Sequence, residues 1–160
     1  MATTTGLILI ATTLVTASAV NQAFASDDVA KLRIIDRDQV RLLDLKMLQE
    51  LGAIELSTST PWTSGVQHFL GTPLQMIVQD IDPQASLTLT AINDYVVTMD
   101  ASQISDDYPI VAFERNGAPM SVRDKGPFWL VYPFDLSTEF QTESVYARSI
   151  WQLVEIKVTD

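Results

Sequence analysis

The ten Lys and Arg and the twenty Asp and Glu of this 160-residue chain all lie beyond Ala25. A stretch with no charge contributes little to a solvated surface, so residues 1–25 stand apart from whatever folds after them. Within that stretch, Gly6 to Val20 is an apolar, Thr-rich run about as long as the core of a secretory signal. Ala23-Phe24-Ala25 supplies the small-x-small pattern of a cleavage site. The sequence therefore predicts a signal peptide over residues 1–25, cleavage after Ala25, and one mature domain over residues 26–160. The segment before Gly6 carries no Lys or Arg, a departure from the usual positive leader. An uncleaved anchor is the alternative, disfavoured because the run is shorter than the ~20 residues a span requires. For a bacterial chain the expected location is the periplasm.

Charge and residue types exclude several function classes. A formal charge of -10 and a pI near 4.3 leave no basic surface for phosphate backbones, so nucleic acid is not an expected partner. The absence of Cys removes disulfides, thiolate zinc sites, iron–sulfur clusters and cysteine nucleophiles, and a lone His, His68, argues against a protein-built metal site. No Ser/His/Asp, Walker or dinucleotide-binding motif is present.

The hydrophobic pattern mixes periods of two and of 3.6. Lys31–Ile35 and Gln39–Leu43 read as strands around the Asp36-Arg37-Asp38 turn. Asp44 sits at an N-cap position before Leu45, Leu48 and Leu51, with Gly52 placed to end that helix. Ile54–Ser59 alternates as a strand, and Thr72-Pro73 opens a second helix with Leu74, Ile77, Val78 and Ile81 on one face, closed by Pro83. Leu87, Leu89 and Ala91, then Tyr95, Val97 and Met99, read as strands around Asn93-Asp94. Ile110–Glu114 followed by Asn116-Gly117 is a hairpin signal, and Trp129–Tyr132 and Ser149–Val158 supply the last strands. The sum is an α+β fold, mostly mixed β-sheet, with two or three short helices.

The most unusual segment is Arg115 to Trp129, which holds three of the ten basic residues, Arg115, Arg123 and Lys125. In so acidic a protein these cations would focus an anion, unless Arg123-Asp124-Lys125 is simply a solvated loop.

Asn116-Gly117-Ala118-Pro119-Met120, then Lys125-Gly126-Pro127-Phe128-Trp129-Leu130-Val131-Tyr132-Pro133, then Ser149-Ile150-Trp151-Gln152-Leu153 resemble the closing half of the sulfite-oxidase-like molybdopterin-binding domain. Asn93-Asp94-Tyr95 and Phe69-x-Gly71-x-x-Leu74 match that domain's order. The resemblance spans Leu32 to Val158 and is closest to small exported bacterial members, marked by Ser59-Thr60-Pro61-Trp62-Thr63. It implies the sulfite-oxidase-like molybdopterin-binding fold. The enzymes of that fold ligate molybdenum through a Cys where this chain has Ser57-Thr58-Ser59-Thr60. Their two cationic anchors for the pterin phosphate correspond to Trp129 and Ile150. Losing one charge-assisted hydrogen bond costs ~1.5–3 kcal/mol, so no cofactor is expected, with molybdopterin the alternative.

By the same resemblance, Trp62, His68, Asn93, Tyr95, Arg115, Asn116, Arg123, Lys125, Trp129 and Arg148 fall on loops that gather around the ancestral cofactor site. Aromatic walls and a few cations suit a small planar or anionic molecule. Trp151 is expected instead to pack against the sheet. The resulting expectation is a periplasmic ligand-binding or accessory module, presenting its ligand to a periplasmic or membrane-bound protein partner. The alternatives are a molybdopterin-dependent oxidoreductase with non-thiolate ligation, and a structural protein without a ligand.

Overall fold

The computed structural model describes residues 30–159, so the signal-peptide expectation falls outside the described residues. Strands β1 (Leu32–Asp36) and β2 (Gln39–Leu43) form an antiparallel hairpin in which Arg37 takes a φ of 51° at the turn. Helix α1 (Leu45–Glu50) starts where Asp44 accepts a hydrogen bond from the Met47 amide at 2.9 Å. That bond satisfies one of the amides a helix start leaves unpaired. Gly52, at a φ of 109°, follows the helix end and opens the turn into β3 (Ile54–Ser59).

β4 (Val66–Pro73) pairs with β3 along its length and was not expected from the sequence. Helix α2 (Leu74–Val78) buries Leu74, Ile77 and Val78. It ends well before Pro83, because Asp80 adopts a φ of 51° that a continuing helix cannot contain, and Ile81 lies beyond it. β5 (Ser86–Ala91) and β6 (Val96–Asp100) form the hairpin expected around Asn93-Asp94, with Leu87, Leu89 and Ala91 facing inward. β7 (Ile110–Arg115) turns through Asn116 and Gly117, both at positive φ, into the short β8 (Ala118–Pro119).

β9 (Trp129–Val131) returns to β7. A third helix, α3 (Glu143–Arg148), is capped by Thr142, which accepts from the Val145 amide at 3.3 Å. β10 (Leu153–Thr159) begins four residues later than the sequence suggests. The segment before it is irregular because Gln152 sits at a φ of 53° and Trp151 makes only an isolated bridge to Trp129.

The strands form two five-stranded sheets. One runs β2-β1-β10-β5-β6 and the other β3-β4-β7-β8, with β9 also on β7. Among the described residues only the β1–β10 pair is parallel, so the first sheet is mixed. Leu32, Ile34, Leu87, Leu89 and Ile156 from that sheet join Phe69, Ile110, Phe113 and Leu130 from the other in one buried apolar cluster. The architecture is α+β, with mixed sheet and three short helices, as the sequence implied.

Candidate functional site

A cavity of about 300 Å³ opens between the β5–β6 turn and the end of α3. Ala91, Asn93 and Tyr95 come from the turn; Tyr146, Ala147, Ser149, Ile150 and Trp151 come from α3 and the segment after it; Trp62 reaches in from the β3–β4 loop. The tight turn at Asn93-Asp94 places the first group, with Asn93 Oδ1 accepting from the Tyr95 amide at 3.2 Å. Tyr95 then bridges the two sides, its hydroxyl donating to the Ala147 carbonyl at 3.3 Å.

Trp62 is the centre of an aromatic cluster. Its ring lies 5.4 Å from Trp151 and 5.8 Å from Tyr146, at steep interplanar angles of 75° and 83°. Phe134 and Trp129 complete its surroundings at 6.1 and 6.0 Å. Edge-to-face contacts of this kind hold rings in fixed orientations and contribute beyond their buried area. Lys125 Nζ sits 4.4 Å from the Trp151 ring centroid and 5.8 Å from that of Trp129, within cation–π range of both. A φ of 67° at Lys125 sets the direction of that side chain.

The expected site residues separate into groups. Trp62, Asn93 and Tyr95 line the cavity and Lys125 lies against one of its walls. Trp129 does not: it is fully buried, with Nε1 donating to the Ser149 carbonyl at 3.1 Å, and it forms the floor beneath Trp62 and Trp151. Trp151 packs against the core, as expected, and also forms a wall of the cavity.

His68 and Asn116 sit elsewhere, on β4 and the β7–β8 turn. His68 Nδ1 shares a 2.7 Å hydrogen bond with Ser57 Oγ across the β3–β4 pair, and Asn116 Oδ1 accepts from the His68 amide at 2.9 Å. His68 belongs to a separate shallow groove with Glu55 and Glu114, not to the aromatic cavity, and Asn116 stands beside it. Arg115 is held by Asp124 at 2.5 Å, and Arg123 is exposed. Arg148 donates to Gln103 at 2.9 Å and does not line the cavity. The expected gathering of all ten residues therefore fails, because several stand on strands whose side chains alternate between faces.

The lining residues that the sequence did not place at a site are Ala91, Tyr146, Ala147 and Ser149, and Ile150 entered only as the position of an implied cationic anchor. The signal available was Thr142, a cap residue that marks the start of α3. A larger trough of about 450 Å³ beside β2 and α1 is more open, and it lacks aromatic walls.

The Tyr132 hydroxyl and Arg148 Nε are buried with no partner in hydrogen-bond geometry. Burial pushes the Tyr132 phenol up from 10.0 to about 12, although the adjacent Arg148 guanidinium pulls it down electrostatically. A raised folded-state value leaves stability intact below pH 10, where the unfolded phenol is still neutral. Stability then falls as pH climbs from 10 towards 12, because only the unfolded chain can ionise. At about 1.4 kcal/mol per pH unit, the wild type is expected to lose roughly 2 kcal/mol more than Tyr132→Phe over that window. Urea midpoints measured at pH 9, 10 and 11.5 check this; parallel curves for the two proteins would contradict it.

No protein-family model matches the chain, and no curated protein matches it.

Proposed function

We propose that this protein is an exported small-molecule-binding or accessory module built on a sulfite-oxidase-like molybdopterin-binding fold. The observation that carries the binding reading is the cavity walled by Trp62, Tyr95, Tyr146 and Trp151, with Lys125 against Trp151. Four aromatic side chains around about 300 Å³ suit one planar ring system, at the lower end of ligand-pocket volumes. Ile92 and Val96, both about half exposed, flank the cavity residues Asn93 and Tyr95 and suit a protein partner that receives the ligand.

The molybdopterin reading is disfavoured by the chemistry of the donor set. In the Ser57–Thr60 segment the hydroxyls are already committed: Ser57 to His68, Thr58 to the Ser59 carbonyl, Ser59 to Asp135, and Thr60 to Thr63. None is a thiolate. The positions where cationic anchors are implied hold Trp129 and Ile150, both buried and apolar. These residues do not fit the cofactor.

The test is a titration of planar aromatic compounds into the mature protein, followed by thermal shift and by quenching of tryptophan fluorescence. A hit should raise the melting temperature, and Trp62→Ala should weaken it by about tenfold or more through loss of a stacking wall. Stoichiometric molybdenum in the purified protein would overturn the binding reading in favour of the oxidoreductase.

A further inference from the structure

We infer, resting on the cavity reading above, that the ligand is a planar aromatic ring bearing acceptor oxygens, a carbonyl or a carboxylate, and not a cationic or donor-rich ring. The polarity of the cavity's hydrogen-bonding groups carries this. Four of its acceptors already take a hydrogen bond from the protein: Asn93 Oδ1 takes the Tyr95 amide, the Ala147 carbonyl takes the Tyr95 hydroxyl, and the carbonyls of Ser149 and Ile150 take Trp129 Nε1 and the Leu130 amide. The Ser149 hydroxyl has its proton committed, donating to the Val145 carbonyl at 2.8 Å.

Four other donors on the lining residues are not engaged. Among the described residues, the indole N–H groups of Trp62 and Trp151, the Tyr146 hydroxyl and the Asn93 amide nitrogen make no hydrogen bond, and none is a buried unpartnered atom. They are donors open to solvent or to a bound molecule. An indole N–H can only donate, so a ligand that pairs with the N–H of Trp62 or Trp151 offers a lone pair.

Charge points the same way. Among the described residues no Asp, Glu, Lys or Arg lines the cavity, and the Lys125 ammonium rests on the ring of its Trp151 wall. Aromatic boxes without such a lysine attract quaternary ammonium groups. That ammonium, against the Trp151 wall, repels a second cation brought into the cavity.

The experiment uses four matched probes, naphthalene, 2-acetylnaphthalene, 2-naphthoate and 2-naphthylmethylammonium, titrated calorimetrically into the mature protein. The ketone and the carboxylate are expected to bind about tenfold or more tightly than the ammonium compound, the factor that one hydrogen bond or one charge interaction supplies. Trp151→Phe, which keeps a ring and removes the N–H, should weaken the ketone by a several-fold larger factor than it weakens naphthalene. Lys125→Met should weaken the carboxylate more than the ketone. Equal binding of all four, or tighter binding of the ammonium compound, would overturn the acceptor inference while leaving the cavity as a binding site. No binding by any of the four would overturn the cavity reading itself, and this inference with it.

Discussion

Replacing Trp129 with alanine is expected to cost the fold about 4 kcal/mol, within the range for deleting a buried Trp or Phe. The indole is completely buried and packs against Phe69 at 5.4 Å, Trp62 at 6.0 Å and Trp151 at 6.2 Å. Its removal leaves a void on the β9 edge and strands the Ser149 carbonyl, which accepts its N–H. The surrounding rings cannot collapse into that space without abandoning their packing on Phe134 and Tyr146. Ligand binding should disappear together with stability, because Trp62 and Trp151 both rest on this ring. An unfolding free energy from urea titration within about 1 kcal/mol of wild type would show that Trp129 is not the floor of the cluster.

Gly126→Ala should be nearly as damaging, about 3 kcal/mol or more, for a purely steric reason. A methyl group there would overlap the carbonyl oxygen and carbon of Met120, and backbone cannot swing aside as a side-chain tip can. The amide of Gly126 is also bonded to the Ser121 carbonyl at 2.8 Å, so the loop is closed on itself at this point. Gly117→Ala is the matched control. Nothing lies within 4 Å of its added methyl, and only its φ of 79° opposes the change, at about 1 kcal/mol. Thermal melts of the two variants should rank in that order; a Gly126→Ala protein as stable as Gly117→Ala would mean that the 120–126 loop is loose.

What could be read from the sequence was local. The β1–β2 turn, the Asp44 cap and the Asn93-Asp94 and Asn116-Gly117 turns each rest on residues within a few positions of one another, and each forms as expected. β4 escaped because its inward-facing positions include Gln67 and Gly71 beside Phe69, which gives no apolar alternation. Gly71 is there because a methyl group would meet the Val111 carbonyl oxygen at 2.6 Å, on a strand far away in sequence. α3 escaped because it buries only Val145. The places of Trp129 and Trp151 were legible only in part for a similar reason. Composition marks both as large and aromatic, but does not tell that Trp129 is wholly covered while Trp151 packs on the core and also lines the cavity.

The placement of β10 bears on how such a chain reaches its final form. It is the last of the described strands to be synthesised, yet it occupies the middle of its sheet, between β1 and β5, with Arg33 beside Glu155. Until it arrives, the β1–β2 hairpin and the β5–β6 hairpin have no common neighbour and cannot join. Pairing partners so distant in sequence close slowly, because the intervening loop must be ordered before the contacts repay it. The nascent sheet therefore stays incomplete until the ribosome has delivered β10. Deleting the seven residues of that strand would remove no surface appendage; it would split the sheet into two hairpins.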